Sequence, residues 1–589
     1  MNTPKEFYTN QKAIFLQQLA KIKQQLLIIG ILRLLIFLGT AYGVYLSFGN
    51  TKLVFIILIV GISLFLFLVS KYTDLQLAKQ KLESLLKINE TELQVLQGNF
   101  SFLPSGKEFS NPKHAFSNDI DLFGKNSFFQ QLNRTTTPEG KKVLAKDLTA
   151  NTTSDILNKQ QAHQELAKKA KWRQDFSATA SLVNVETSQE EILDFINTHQ
   201  SFLPVYYKYV PKVFLGVSLV LFATNYFDIL PFKITLIWFA IGLLFTGSYL
   251  KKINPFYLKL SQAKDTFRQY FKLLQLIEKE KFTSKLLQQK QQAIKHKSEK
   301  ASEIFKKFAK NLDAFDQRNN ILFALLGNGF ALWDLQQAIK AEQWIANYQK
   351  EIKQWFAIIA YFDAHNSYGN YIFNHPNFVF PTLQDSKFTI NATKLGHPLL
   401  KKEKRIDNDF TIENNQFFIV TGANMAGKST FLRTVSLSIV MANTGLPVCA
   451  KTYDYQPIKL ITSMRTDDSL SEDTSYFFSE LKRLKFIVEA IKKDRYFIIL
   501  DEILKGTNSK DKAIGSKKFV EKLVKSNATG IIATHDLSLC EVEKELPQVK
   551  NHFFDAQIIN DELYFDYTFK KGICKNMNAS FLLKKMEIV

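Results

Sequence analysis

The sequence contains very few cysteines. Its 589 residues include three, Cys449, Cys540 and Cys574, which lie far apart and form no Cys-x-x-Cys pair. Zinc sites and disulfide frameworks need cysteines that are more numerous or more closely spaced. The composition therefore indicates neither, and it predicts a reducing, cytosolic setting for the soluble parts of the chain.

Acidic residues are also in short supply. The chain has 55 Asp and Glu against 76 Lys and Arg, which gives a formal net charge of +21. Such an excess suits an anionic partner: a nucleic acid, an anionic membrane surface or both. Charge alone does not choose between them. The length predicts roughly three or four domains rather than one globule.

The first apolar region lacks the small-residue cleavage site of a signal peptide. Its two apolar runs, residues 26–48 and 53–70, are each long enough to cross a bilayer and are separated by a short turn. They predict a transmembrane hairpin. Arg33 interrupts the first run, at a cost of about 2.5 to 3.5 kcal/mol if it were central, and we expect it to snorkel toward the basic end.

A second apolar pair is shorter and less apolar. It covers residues 213–230 and 234–250, with Asn225 and Asp228 near its turn. It predicts a second membrane hairpin, with a pair of buried core helices as the alternative. Lysines cluster at the outer ends of both pairs, whereas each turn carries only one. This pattern favours membrane spans that leave the termini and the large soluble segments in the cytoplasm. The flanking lysines are Lys21, Lys23, Lys71, Lys208, Lys212, Lys251 and Lys252.

The rest of the chain changes character after residue 375. Before it, apolar residues recur with helical spacing, and after it, short β-rich runs alternate with helices. The clearest strands are residues 417–421, 496–500 and 530–534. The alternation predicts a parallel sheet covered by helices. The helical spacing is seen, for example, at Leu260, Phe267, Tyr270, Phe271 and Leu274.

These patterns divide the chain into six predicted parts. They are a cytoplasmic N-terminal segment (1–24), transmembrane hairpin 1 (25–72), a helical core in two parts (73–212 and 251–375) interrupted by transmembrane hairpin 2 (213–250), and a C-terminal α/β domain (376–589).

The most informative motif follows the first predicted strand. It reads Gly422-Ala423-Asn424-Met425-Ala426-Gly427-Lys428-Ser429, the spacing of a phosphate-binding loop. The two glycines let the backbone curl so that its N–H groups face phosphate oxygens, Lys428 reaches the β- and γ-phosphates, and the Ser429 hydroxyl ligates Mg²⁺. The motif predicts binding of a nucleoside triphosphate with Mg²⁺.

Polar residues follow the other two predicted strands. Asp501 and Glu502 come directly after residues 496–500, at the sheet edge where the phosphates are expected. Asp501 would hold the Mg²⁺ shell and Glu502 would polarise the attacking water. His535 follows the next strand and would sense the γ-phosphate. The alternatives are a solvated strand end for the acids and a structural role for the histidine.

Together these motifs closely resemble the ATPase domain of MutS-family DNA mismatch repair proteins. Residues near 121–145 resemble the start of the family's helical core domain, so the resemblance covers roughly residues 115–589. The motifs that carry it are residues 421–430, Asp467-Asp468-Ser469-Leu470, Ser475-Tyr476-Phe477 with Glu480-Leu481, Leu500-Asp501-Glu502 with Gly506-Thr507 and Asp511, Ala533-Thr534-His535, and upstream Asp121-Leu122-Phe123-Gly124, Leu132-Asn133-Arg134-Thr135, Gly140 and Leu144-Ala145.

The resemblance implies a fold class and an assembly. It implies an α/β P-loop ATPase domain of ABC type at the C-terminus, preceded by an all-α MutS-like core that here carries transmembrane helical hairpins. It also implies a homodimer with composite ATP sites, in which Ser475 reaches the nucleotide held by the other subunit. The implied catalytic residues are Glu502, Lys428 and His535; the nucleotide-binding residues are Gly422, Ala423, Asn424, Met425, Ala426, Gly427, Lys428, Ser429, Thr430, Arg405, Tyr567 and Ser475; the Mg²⁺ ligands are Ser429 and Asp501.

Some positions depart from the family pattern. Tyr567 lies where the family places a ring against adenine, and Arg405 lies roughly where an aromatic residue usually covers the other face; arginine also stacks on rings. Ala423 and Ala426 replace the family's usual proline and second glycine. Neither change removes an essential N–H, so we expect intact ATP binding.

Larger departures limit what the resemblance implies about function. No mismatch-reading domain with a Phe-x-Glu wedge precedes the core, and the second hairpin stands where the family places its DNA-gripping clamp. The first hypothesis is a membrane-anchored, dimeric Mg-dependent ATPase that binds double-stranded DNA, as mismatch repair proteins do. The alternative is a membrane-bound mechanochemical ATPase that acts on a membrane or protein partner without recognising mismatches.

Overall fold

The structure is a computed structural model that describes residues 3–182, 187–296, 299–465, 476–559 and 562–574. The α-helices are α1 Pro4–Leu46, α2 Thr51–Leu96, α3 Phe128–Leu132, α4 Pro138–Thr149, α5 Ile156–Lys168, α6 Ala170–Ala180, α7 Gln189–Thr198, α8 Val210–Tyr226, α9 Phe232–Lys279, α10 Lys285–Gln292, α11 Ala301–Asp316, α12 Ile321–Ala331, α13 Trp333–Asn374, α14 Lys428–Asn443, α15 Tyr476–Ala490, α16 Ser509–Lys525 and α17 Val542–Glu545. The strands are β1 Lys295–His296, β2 Glu299–Lys300, β3 Thr382–Leu383, β4 Phe388–Leu395, β5 Asn408–Glu413, β6 Phe417–Gly422, β7 Thr452–Tyr455, β8 Lys459–Ser463, β9 Tyr496–Asp501, β10 Thr529–Ala533, β11 Val549–Phe554, β12 Gln557–Ile559, β13 Glu562–Tyr564 and β14 Phe569–Lys571.

The chain forms two compact units. The first, unit 1, comprises Met1–Glu92, Thr136–Gly140 and Lys171–Asp363, and the second, unit 2, comprises Leu93–Thr135, Lys141–Ala170 and Ala364–Val589. Unit 1 is built mainly from helices, whereas unit 2 contains both larger sheets.

Unit 1 has an aromatic core between its long helices. Phe267 of α9, Phe308 of α11 and Trp344 of α13 pack together, with the rings of Phe308 and Trp344 stacked at 3.7 Å. The predicted helical face of α9 is confirmed, because Leu260, Phe267, Tyr270 and Leu274 are buried; Phe271 lies at its margin and is only half-buried. Burying several large rings along one stripe stabilises these helices more than their intrinsic propensity does.

In the part of the chain that the structure describes, four helical stretches of unit 1 have the length and apolar composition needed to cross a membrane. They are Pro4–Leu46 (α1), Thr51–Leu96 (α2), Tyr206–Tyr226 (a short 3-10 segment followed by α8) and Phe232–Lys279 (α9). At most 22% of the most apolar stretch of any of them is buried. The predicted apolar runs all lie mainly within these helices, but three of the helices continue far beyond them. Residues 73–96, predicted as the start of the helical core, continue α2 without a break, and α8 ends at Tyr226, before the predicted end of its run at residue 230.

Arg33 in α1 has aromatic partners on α2. Its guanidinium lies 5.3 Å from the ring centre of Phe65 and 5.2 Å from that of Tyr72. Tyr72 directly follows Lys71 in sequence. The charge therefore faces π-electron density instead of alkyl side chains alone, which lowers the cost of keeping it in an apolar helix.

Unit 2 contains a six-stranded sheet with the order β14-β11-β6-β10-β9-β8. Its five strands other than β14 run parallel, and β14 pairs antiparallel with β11. The three predicted strands are confirmed as β6, β10 and β9, which lie side by side. Parallel strands covered on both faces read as continuous apolar runs, and all six residues of β6 are buried.

The two faces of this sheet pack against different sets of helices. Phe418 and Val420 point into a core that includes α14, while Phe417 and Ile419 point into a core that includes α15 and α16. Successive side chains of a strand face opposite sides, so one apolar strand contributes to both cores. A second sheet, with the order β3-β7-β4-β5, lies in the same unit and leads directly into β6.

Candidate functional site

The carboxyl ends of three neighbouring strands form one site. β6 ends at Gly422, β9 at Asp501 and β10 at Ala533, and β10 lies between the other two in parallel register. Since parallel strands end at the same edge of a sheet, the residues that follow them converge there. They line a cavity of about 790 Å³.

The loop after β6 depends on glycine at both of its ends. Gly422 has φ +151°, and a Cβ at this position would lie 2.6 Å from the carbonyl oxygen of Phe554. Gly427 has φ +100° and directly precedes α14, which begins at Lys428. The loop therefore delivers a helix N-terminus to the cavity, with backbone N–H groups and a positive dipole end suited to anionic groups.

Lys428 lies buried within this loop. Its Nζ donates hydrogen bonds to the carbonyl oxygens of Gly422 (2.8 Å) and Ala423 (2.9 Å), and lies 3.3 Å from Nε2 of His535. Burial lowers the pKa of the Lys428 ammonium, and the nearby carboxylates of Asp501 and Glu502 partly oppose that shift. The side chain is thus held in place as a donor at the floor of the cavity.

Ser429 and Asp501 form a pair suited to a magnesium ion. The Ser429 hydroxyl donates to Oδ2 of Asp501 at 2.8 Å, and both residues line the cavity. Among the described residues, no group of three or more His, Cys, Asp or Glu side chains could hold a metal. One carboxylate and one hydroxyl oxygen fit Mg²⁺, which keeps several waters and shares substrate phosphates rather than using an all-protein cage.

Glu502 lies beside His535 in an unusual backbone conformation. Its φ is +49°, and its backbone N–H donates to the Ala533 carbonyl at 2.9 Å. Its Oε1 lies 3.3 Å from Nε2 of His535. Burial, and then the charge of Lys428, lower the pKa of His535, while the carboxylates of Glu502 and Asp501 oppose that shift. A carboxylate in this position can accept a proton from a water molecule.

The two residues predicted to contact a base also line the cavity. Arg405 is held by Asp407 through Nε to Oδ1 (2.6 Å) and Nη2 to Oδ2 (3.2 Å). Tyr567 has φ +52°, and its carbonyl accepts from Nδ2 of Asn408 at 3.0 Å. A Cβ on Gly427 would lie 3.0 Å from the ring of Tyr567, so this ring lies against the loop. The contact of Arg405 and Tyr567 with a base stays a prediction.

Of the predicted site residues, the cavity brings together Arg405, Asn424, Met425, Ala426, Gly427, Lys428, Ser429, Thr430, Asp501, Glu502, His535 and Tyr567. Gly422 and Ala423 contribute through their carbonyls to Lys428 rather than as lining residues. Ser475 and the motif at residues 467–470 lie outside the described residues, so the predicted role of Ser475 stays a prediction.

Several lining residues were missed by the sequence analysis. They include His397 and Ile406, on the segment that connects β4 to β5, and Asn408, the first residue of β5. Burial lowers the pKa of His397 to about 4, with the charges of Arg433 and Arg405 acting in the same direction. No residue pattern in this segment matches a known ligand motif; only the Gly396-His397-Pro398 turn signal could have drawn attention to it.

Glu480 supports the site without lining the cavity. It is 3% exposed, and its two carboxylate oxygens accept from the backbone N–H groups of Leu504 (2.5 Å) and Lys505 (3.0 Å). Leu504 has φ +61°. The carboxylate therefore fixes the turn that immediately follows Glu502.

Comparisons with known proteins point to one family for the C-terminal part of the chain. Residues 418–585 match the family model described as MutS domain V. The chain is 32% identical over 209 residues to MutS protein homolog 4 of Homo sapiens, an alignment that covers 33% of this chain and 22% of the relative. It is 31% identical over 180 residues to the DNA mismatch repair protein MutS of Thermotoga sp. (strain RQ2), covering 30% and 22%.

A third relative extends the alignment slightly. The DNA mismatch repair protein MutS of Flavobacterium psychrophilum is 28% identical over 239 residues, which covers 39% of this chain and 27% of the relative. The chain thus spans about a quarter of the length of the curated relatives that it matches. These findings identify a MutS domain V in the C-terminal part of a chain that is similar to MutS-family mismatch repair proteins.

Proposed function

We propose that this chain is a membrane-anchored, Mg-dependent ATPase of the MutS type. The observation that carries the proposal is the convergence of Lys428, Ser429, Asp501, Glu502 and His535 at one cavity, from the ends of three adjacent parallel strands. These are the side chains that phosphoryl transfer to water requires: a phosphate-binding cation, a metal-binding pair and a base.

Each residue has a separate task in hydrolysis. The N-terminus of α14 and Lys428 bind the phosphates, and Ser429 with Asp501 would hold Mg²⁺, which when bound neutralises charge on the phosphate oxygens. Glu502 accepts a proton from the attacking water. The oxygen of that water bonds to the γ-phosphorus while the bond between the γ-phosphorus and the β-phosphate oxygen breaks. His535 fixes the Glu502 carboxylate and faces the same phosphate.

Two copies of the chain complete the proposed site. The resemblance to the MutS family assigns Ser475 to the nucleotide held by the other copy, so hydrolysis requires a homodimer. Measuring the ATPase rate against protein concentration tests this, because a composite site loses specific activity on dilution below the dimer dissociation constant.

The membrane part of the proposal rests on exposed apolar helices. The apolar stretches of α1, α2, α8 and α9 leave most of their surface uncovered. Their exposed side chains include Leu27 of α1 (66%) and Leu244 of α9 (76%). Exposed apolar surface on this scale needs an apolar partner. The lysines at the outer ends of both pairs suit the cytoplasmic side of a bilayer.

Double-stranded DNA is the proposed binding partner of the ATPase. This proposal is supported by the net charge of +21 and by relatives named as mismatch repair proteins. The alternative is a mechanochemical ATPase that acts on a membrane or protein partner. The alternative is favoured by the extent of the similarity, since the matched family model begins only at residue 418.

One experiment separates these functions. The ATPase rate of the full chain in detergent micelles is compared without additions, with perfect duplex DNA, with mismatched or branched DNA and with anionic liposomes, using Lys428→Ala as the inactive control. Stimulation by DNA, with an affinity that falls steeply as salt rises, supports the first function. Stimulation by liposomes alone selects the alternative, and activity equal to the Lys428→Ala control refutes the ATPase itself.

A further inference from the structure

Helix α12 is an apolar element outside the predicted membrane hairpins. Its eleven residues, Ile321–Ala331, contain no charged side chain. Four large apolar residues on one side of it are exposed: Ile321 (76%), Leu322 (73%), Leu326 (57%) and Leu325 (45%). In water this face would be costly, at about 25 cal/mol for each Å² of apolar surface left uncovered.

The C-terminal end of α12 packs closely on the second hairpin. A Cβ on Gly242 of α9 would lie 2.3 Å from the carbonyl oxygen of Gly329, so the two backbones approach as only glycine permits. The ring of Phe330 lies 4.8 Å from that of Phe222 on α8 and 4.9 Å from that of Phe239 on α9. Small residues at a close helix crossing are typical of packing inside a membrane.

Backbone polar groups at the end of α12 have partners within the protein. The Ser218 hydroxyl of α8 donates to the Phe330 carbonyl at 2.6 Å, and the N–H of Leu332 bonds to the Gly327 carbonyl. The N–H of Asp334 donates to Oδ1 of Asn328 at 2.9 Å. Satisfying these groups internally is the condition for placing the end of a helix in hydrocarbon.

The length of α12 fits half a bilayer. Eleven residues at 1.5 Å each give about 16 Å, against a hydrocarbon thickness of about 30 Å. Gly242, which contacts the end of α12, lies nine residues from Lys251, or roughly 14 Å along α9. The C-terminal end of α12 therefore reaches the middle of the apolar part of the hairpin.

A cation lies at the other end of α12. Arg318, three residues before the helix, donates to Asn254 at 2.6 Å and stacks over Tyr257. Its guanidinium also pairs at 3.1 Å with Asp334, which follows the turn at Leu332, so the carboxylate just beyond that turn has a cationic partner. Asn254 and Tyr257 follow Lys251 on α9. This is the side on which the basic flank of the hairpin would meet the lipid headgroups.

We propose that α12 is a re-entrant membrane segment that enters the bilayer beside α8 and α9, turns near its middle at Leu332, and presents Ile321, Leu322, Leu325 and Leu326 to lipid acyl chains. The inference rests on the proposed anchoring of the second hairpin. Lipid is the occupant because the exposed face of α12 is uncharged and because the two helices that α12 packs against, α8 and α9, expose apolar side chains of their own, such as Val220 and Leu236.

The test is site-directed spin labelling of the full chain in vesicles of zwitterionic and anionic lipid. The three native cysteines are buried, so a label reports the introduced position. Leu322→Cys and Leu326→Cys are compared with two positions of similar exposure: Leu219→Cys on α8 (61%) for lipid and Leu157→Cys on α5 (56%) for water. Each variant is first checked for parental ATPase activity.

The expected result is that both α12 labels collide more often with oxygen than with a water-soluble nickel chelate, as Leu219→Cys does and Leu157→Cys does not. If Leu219→Cys is lipid-exposed while the α12 labels behave like Leu157→Cys, the re-entrant segment is refuted and the anchoring survives. If Leu219→Cys also behaves as aqueous, both are refuted. If the α12 labels are shielded from both reagents, a protein partner covers the face and the proposal fails.

Discussion

Replacing Glu480 by glutamine should slow ATP hydrolysis without removing ATP binding. Glu480 is 3% exposed and accepts two backbone hydrogen bonds, from Leu504 and Lys505, with its two carboxylate oxygens. Glutamine has nearly the same shape, but one of its two terminal atoms is a donor. That amide group would face a backbone N–H, so one hydrogen bond is lost and a donor is left without a partner.

The size of this effect follows from the loop that Glu480 supports. Leaving a buried donor unsatisfied costs about 1 to 3 kcal/mol. Glu502 (φ +49°) and Leu504 (φ +61°) are held in left-handed conformations that cost a similar amount each, on the order of 1 to 3 kcal/mol. Losing one of the two hydrogen bonds from Glu480 therefore lets the loop relax. A displacement of the Glu502 carboxylate by about 1 Å lowers the rate of hydrolysis on the order of 100-fold.

The assay compares steady-state hydrolysis, binding of a fluorescent ATP analogue and the thermal unfolding midpoint. We expect kcat of Glu480→Gln to fall by about 10- to 100-fold while analogue binding changes little. Glu489→Gln is the matched control, since Glu489 lies on the same helix with its side chain 55% exposed. If Glu480→Gln matches that control in both kcat and unfolding midpoint, Glu480 does not position the loop.

Three further predictions concern the same unit. Glu502→Gln should lower kcat by about 10² to 10⁴ with ATP binding retained; unchanged turnover would exclude Glu502 as the base. Ser429→Ala should raise the Mg²⁺ concentration needed for half-maximal activity, and an unshifted Mg²⁺ titration would contradict the assigned ligand pair. Burial lowers the folded-state pKa of His163 to about 3 and of His397 and His552 to about 4. Below pH 6.5 the unfolded chain therefore binds more protons than the folded chain, and the free energy of unfolding decreases as the pH is lowered. By pH 5 each costs about 2 kcal/mol, and the acid-induced fall in unfolding midpoint should be smaller in His163→Gln; an equal fall would show that this histidine does not contribute.

The strands that end near the loop after β6 could be predicted because a strand buried on both faces of a sheet is a continuous run of apolar residues in the sequence. β6 and β9 are almost uninterrupted apolar runs, and polar residues appear only where each strand ends. β8, an edge strand, has the sequence Lys-Leu-Ile-Thr-Ser, and β11, which pairs with the antiparallel strand β14, has the sequence Val-Lys-Asn-His-Phe-Phe. Both mix polar with apolar residues. Their pairing is decided by tertiary packing, which a local pattern does not contain.

The residues of the candidate site also divide into those that could be predicted from the sequence and those that could not. Lys428, Ser429, Asp501 and Glu502 follow strands or a loop whose spacing is fixed by the backbone, so their convergence could be predicted from the order of elements. His397 and the support from Glu480 could not, because they reach the site from a connecting segment and from a helix on one face of the sheet. Helix α12 was missed for another reason: eleven apolar residues are too short to predict a membrane span.

Backbone strain in the described part of the chain is concentrated around the cavity. Six residues other than glycine, asparagine and aspartate have positive φ there: Leu332, Lys394, Met425, Glu502, Leu504 and Tyr567. Three of them line the cavity, Lys394 precedes the lining residue Leu395, and Leu504 follows Glu502 by two positions. Such conformations persist only where surrounding bonds hold them, as Ala533 holds Glu502 and Asn408 holds Tyr567. A sheet edge that served only stability would relax them. A binding site must keep its side chains in fixed positions, and the retained left-handed conformations serve that requirement.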